Sequence, residues 1–108
     1  MKIEDNLKVI KLIDTYGVLL TPRKYEVLTS YYFDNLSLSE IGDNYNISRQ
    51  AVSDSINQSL KALEGYEDKL KVISHNNHII DQIEKIIGDC DDIELTEKLS
   101  EIIEDIRG

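Results

Sequence analysis

The stretch SLSEIGDNYNISRQAVSDSINQSLKAL, residues 37–63, decides the fold. Ser37 and Glu40 stand at the spacing of a capping box, in which the N-cap serine and the N3 glutamate each satisfy a backbone N–H of the first helical turn. The box opens a short helix, expected over 38–44. Tyr45-Asn46-Ile47 then turns the chain, because asparagine tolerates positive φ nearly as well as glycine. Ser48 caps the next helix, which carries Val52, Ile56, Leu60 and Leu63 at helical spacing. Two helices that cross tightly need a small residue at the contact, and Gly42 supplies it. Ile41, Ile47, Val52 and Ile56 are expected to fill the wedge, with Ile47 pinning the turn to the core. These features together describe a helix-turn-helix.

The same pattern extends outward on both sides. Upstream, Ile3, Leu7, Ile10 and Ile13 recur at helical steps, with Val9, Leu12 and Tyr16 widening the stripe, so a first helix is expected over 3–17. Thr21-Pro22 starts a second helix, with threonine as cap and proline at the first position, where its missing N–H costs nothing. It carries Tyr25, Val27, Leu28, Tyr31 and Tyr32 to about Phe33. Downstream, the second motif helix is expected to continue through Gly65, which costs about 1 kcal/mol against alanine in a helix interior and leaves room for a bend or break, to about Ser74. Asn76-Asn77 reads as a boundary. Two further helices are expected over 79–87 and 95–106, split by Gly88-Asp89-Cys90-Asp91-Asp92. Strand alternation is absent. The expected class is all-α: a helical bundle containing a helix-turn-helix, with extra C-terminal helices. Residues 1–74 hold the N-terminal helices and the motif. Residues 75–108 form acidic helices packed on the same domain or on a second copy.

Charge bears on function. The net charge of the 108 residues is −9. Residues 1–20 carry three basic and three acidic side chains, 21–74 six and eight, and 75–108 three and ten. That distribution is the reverse of a basic nucleic-acid footprint. The outward face of the second motif helix presents Arg49, Gln50, Ser53, Asp54, Asn57 and Lys61, short or polar side chains able to reach base edges in a major groove. Arg23 and Lys24 add two cations at the start of the preceding helix. Four cations fall short of the six to ten phosphates that a strong duplex binder neutralises, roughly.

Other features carry no chemistry. His75 and His78 stand three apart, but no third ligand has metal-site spacing, although Asp81 is near; they read as solvated helix-end histidines. The lone Cys90 reads as a surface thiol. Asp89-Cys90-Asp91-Asp92-Ile93-Glu94 lacks the ligand alternation and glycine of a calcium loop. The tyrosines from Tyr16 to Tyr45 read as core and boundary packing. No phosphate loop, catalytic triad or metal triad can be placed, so neither enzyme activity nor a cofactor is expected. There is no run of about 18 apolar residues to span a membrane. The opening Met1-Lys2-Ile3-Glu4-Asp5 lacks a signal-peptide pattern, so cytoplasmic residence is expected.

Leu20-Thr21-Pro22-Arg23-Lys24-Tyr25, Tyr31-Tyr32-Phe33, Leu36-Ser37-Leu38-Ser39-Glu40-Ile41 and Ile47-Ser48-Arg49-Gln50-Ala51-Val52-Ser53-Asp54 together resemble the YlxM-like family of Gram-positive bacteria. The resemblance runs from Ile3 to about Ile87. It implies an all-helical regulatory protein linked to the signal recognition particle, the GTPase–RNA machine that targets nascent membrane proteins. The motif is also similar to the sigma-factor domain that reads the upstream promoter element, but it lacks that domain's extra arginines and lysines on the second helix.

Two function classes follow. One is a protein-interaction regulator contacting the particle's protein or RNA. The other is a DNA-binding transcriptional regulator, with Arg49, Gln50, Ser53 and Asn57 on base edges and Arg23, Lys24 and Lys61 on phosphates. A homodimer is expected as a separate matter, because the apolar stripes of the first helix and of the last two exceed what a bundle of this size hides.

Overall fold

The computed structural model describes residues 3–108, with side chains from Asn6 onward. Ile3, placed on the first helical stripe, therefore has its side chain outside the described residues, as do Glu4 and Asp5; Met1 and Lys2 lie outside them altogether. Six α-helices and a short 3-10 turn follow one another, and no strand occurs among the described residues. The fold is all-α.

Two compact units divide the chain, Met1–Leu70 and Lys71–Gly108. In the first, α1 (Ile3–Tyr16), α2 (Pro22–Tyr32) and α3 (Leu38–Tyr45) pack on the long α4 (Arg49–Leu70). Its core is Leu12, Ile13 and Tyr16 of α1, Val27 and Leu28 of α2, Ile41 of α3, and Val52, Ile56 and Leu63 of α4. Burying each such aliphatic side chain contributes about 1.5–3 kcal/mol, and α4 is the element the unit is built around because α1, α2 and α3 each pack on it. The second unit comprises α5 (Val72–Gly88) and α6 (Ile93–Arg107), which pack on one another and bury Ile80 and Ile103.

Local chemistry sets most helix limits. Thr21 caps α2 through its hydroxyl, with Pro22 in the first turn. The capping box is complete: the Ser37 hydroxyl accepts from the Glu40 N–H, and the Glu40 carboxylate accepts from the Ser37 N–H, both at 3.1 Å. Ser48 caps α4 by accepting from the Ala51 N–H at 3.0 Å. Asp92 caps α6 by accepting from the Leu95 N–H.

Several details depart from the sequence reading. α4 continues through Gly65, but it ends at Leu70 and not near Ser74. The local helix bonds evidently outweigh the roughly 1 kcal/mol that one glycine costs. Asn76-Asn77 lies inside α5, not at a boundary; the break falls at Lys71, which adopts φ 55°. Leu7, placed on the α1 stripe, is exposed, and so are Tyr25 and Phe33 of the α2 cluster.

Candidate functional site

The motif closes as its residues require. Asn46 ends α3 at φ 56°, ψ 44°, in the left-handed region, with its N–H donating to the Gly42 carbonyl. The Ile47 N–H donates to the same carbonyl at 2.9 Å. A Cβ on Gly42 would clash with the Ile47 carbonyl oxygen and touch the Arg49 backbone nitrogen at ordinary contact distance, so glycine is what allows α3 to approach the start of α4. The Ile47 side chain corrects the sequence reading. It stands exposed instead of filling the wedge, so its contribution to the turn is made by backbone. Ile41, Val52 and Ile56 are buried as expected.

Each candidate contact residue can now be placed. Arg49, Gln50, Asn57 and Lys61 are exposed along α4, together with Asp54 and Glu64. Ser53 is half-buried and lines a notch of about 140 Å³ with Tyr31, Tyr32, Leu38 and Leu60. At 1.5 Å rise and 100° per residue, Arg49 and Lys61 lie about 18 Å apart along the helix and about 120° apart around it. They do not form one cationic stripe.

Gln50 is committed in part: its Nε2 donates to Asp54 Oδ1 at 2.9 Å across one turn. This pair fixes an acidic group in the middle of the exposed face. A shallow depression of about 490 Å³ follows, lined by Asp54, Asn57, Gln58, Leu60, Lys61 and Glu64, with two carboxylates and one ammonium. Arg49 and Lys61 have no ion-pair partner among the described residues.

Arg23 is held elsewhere. Its guanidinium stacks over the Tyr45 ring, 4.9 Å from the centroid, at the end of α3 where the turn begins. The contact brings Arg23 to the same end of the motif as Arg49. Sequence spacing could not show this, because Arg23 and Tyr45 belong to different helices. Lys24 is half-buried beside it in the first turn of α2.

Elsewhere, His75 and His78 stand exposed on α5, and Cys90 is half-buried in the α5–α6 loop with its thiol 3.8 Å from the Asp92 carbonyl oxygen. Among the described residues no group of three or more His, Cys, Asp or Glu is placed to hold a metal ion. No helix among them is long and apolar enough to cross a membrane.

Comparison with known proteins agrees with this geometry. Residues 3–105 match the model of the UPF0122 family, described as a helix-turn-helix protein, YlxM / p13 like. A UPF0122 protein of Pediococcus pentosaceus is 41% identical over 91 residues, covering 82% of this chain and 80% of that one. One from Malacoplasma penetrans is 49% identical over 77 residues, covering 71% and 72%. One from Bacillus pumilus is 35% identical over 107 residues, covering 96% and 97%. The capped α3, the close approach at Gly42, the left-handed Asn46 and these near-full-length matches lead to one conclusion: the chain belongs to the UPF0122 family of YlxM / p13-like helix-turn-helix proteins.

Proposed function

We propose that this chain is a non-enzymatic regulatory protein of the cytoplasm that contacts a basic component of the signal recognition particle, and that it works as a homodimer. The carrying observation is the Gln50–Asp54 pair on the exposed face of α4. A duplex approaching this face would bring phosphates toward a fixed carboxylate, with Glu64 further along the same helix. A positively charged protein surface would instead find complementary charge. The net charge of −9 favours the same kind of partner. The resemblance of the Ser48–Asp54 stretch to its family supports the particle as the target.

The homodimer is supported by apolar side chains left exposed on α5 and α6, among them Ile86, Ile93, Leu95 and Ile102. Exposed apolar area of this kind is costly in water and favours a second copy.

The test is retention of the purified targeting GTPase, alone and with its RNA, on the immobilised full-length chain at about physiological salt. Retention of the protein component supports the reading. Absence of retention with intact particle counts against it. Sedimentation showing only monomer at tens of micromolar would remove the dimer.

A second reading, DNA binding, is favoured by one observation: Arg23 and Arg49 gather at the turn end of the motif, where α4 would enter a major groove.

A further inference from the structure

The corner between α2 and α3 contains a cavity that the contact face of α4 does not use. It measures about 420 Å³ and is lined by Asn6 of α1, Tyr31 and Tyr32 at the end of α2, and Asn35, Leu36, Ser37 and Glu40 around the start of α3. The two tyrosine rings meet edge to face, with centroids 5.0 Å apart and planes at 81°. Asn6 Oδ1 is buried and has no hydrogen-bond partner among the described residues. The Glu40 carboxylate spends one oxygen on the Ser37 N–H, and no cation pairs with it among the described residues. Among the described residues no lysine or arginine lines the space.

Beside the amide and hydroxyl groups of Asn6, Asn35 and Ser37, the one charged group of this lining is the Glu40 carboxylate, and it and the two tyrosine π faces attract positive charge. The complementary group carries a positive charge, several N–H donors and a flat face. A guanidinium has all three, whereas an ammonium is compact and strongly hydrated. The exposed Glu40 carboxylate could accept from one arm of the fork while a tyrosine face stacks on the plane. The chain already holds one guanidinium in this manner, Arg23 over Tyr45 at 4.9 Å. Partial burial pushes the pKa of the Tyr32 hydroxyl up, so the phenol stays neutral beside the Glu40 carboxylate.

We infer that this cavity receives the side chain of an arginine on a partner protein. The inference rests on the reading of the chain as a protein-contact module and names the group that the module recognises. Tyr31 and Tyr32 also wall the notch that Ser53 and Asn57 line from the α4 side, so an arginine seated here adjoins the exposed face of α4.

The test titrates the full-length protein with a short blocked glycine peptide carrying one arginine, and with the lysine and citrulline versions of that peptide. Chemical shifts of the Asn6 side-chain amide and the Ser37 N–H report occupancy. The arginine peptide is expected to move both, with the other two binding about tenfold more weakly or worse. Glu40→Gln keeps the capping box, since glutamine also serves at N3, and removes the charge; it is expected to weaken the arginine peptide about tenfold. Tyr31→Ala gives a second reading at the stacking wall. Equal binding of the lysine peptide, or unchanged affinity in Glu40→Gln, overturns the inference. Its fate is separable from that of the partner. If the arginine peptide binds as stated while the targeting GTPase is not retained, the inference stands and the partner assignment falls. If the GTPase is retained equally by wild type and Glu40→Gln, the inference falls and the partner assignment stands.

Discussion

A Cβ placed on Gly42 would lie 2.7 Å from the carbonyl oxygen of Ile47. The obstructing atom belongs to the backbone of the turn, so no side chain can swing aside to relieve it. Gly42→Ala is therefore expected to destabilise the fold by about 1–3 kcal/mol, the usual cost of overpacking. Thermal denaturation should show a fall of roughly 4 °C in midpoint per kcal/mol for a chain of this size. Gly65 offers the opposite case on α4. Nothing lies within 4 Å of its Cβ position, and it sits inside a continuous helix. Gly65→Ala is expected to raise stability by about 1 kcal/mol. A loss of stability there would contradict the continuous helix.

Asn46 fixes the turn through its backbone conformation, φ 56°. Its side chain is exposed. Asn46→Gly is expected to leave stability within a few tenths of a kcal/mol, whereas Asn46→Val should cost about 1–2 kcal/mol, because a β-branched residue resists the left-handed region. Chemical denaturation of the two variants side by side measures the difference.

Ser59 is buried on α4 beside Ile56 and Leu63, and its hydroxyl has no partner. An unpaired buried hydroxyl is costly, so Ser59→Ala is expected to be neutral or to stabilise by up to about 1 kcal/mol. A clear destabilisation in urea would show that the hydroxyl is satisfied after all.

Tyr32 carries a pH prediction. Burial, and next the neighbouring Tyr31, raise the pKa of its hydroxyl above the ordinary value of 10.0. A phenol harder to ionise when folded contributes stability below its unfolded pKa, and that contribution is lost as pH rises through the folded pKa. The protein should therefore lose stability as pH climbs above about 10, and Tyr32→Phe should lose less. Unfolding midpoints of both proteins across that range decide it. Parallel curves would remove Tyr32 as a source.

The helix-turn-helix was legible in the sequence because each of its devices is local. The Ser37–Glu40 box, Gly42, Asn46 and Ser48 act on backbone within a few residues, so spacing alone reveals them. The limits of α5 were not legible. Asn76 and Asn77 favour turns in isolation yet sit within a helix, and the break falls on Lys71, a residue type that gives no left-handed signal. The exposure of Ile47 escaped for a similar reason: apolar character fixes a preference for burial, while the turn decides which way the side chain projects. The outward positions of α4 followed from helical periodicity, but Ser53 turned inward toward Tyr31 and Tyr32. The Arg23–Tyr45 stack and the Asn6–Tyr31–Glu40 cavity assemble side chains from separate helices, and no local pattern encodes such meetings.

The most direct measurement compares the two kinds of partner on the same face. Fluorescence anisotropy of a labelled DNA duplex and of the labelled targeting GTPase would be followed with the full-length chain from about 50 to 200 mM salt, a range over which phosphate contacts lose most of their strength. An α4 surface short of cations predicts saturable binding of the GTPase, and a duplex response that is weak and nearly flat across the series. Tight duplex binding with a steep salt slope, abolished by Arg49→Ala, while the GTPase fails to bind, would contradict it.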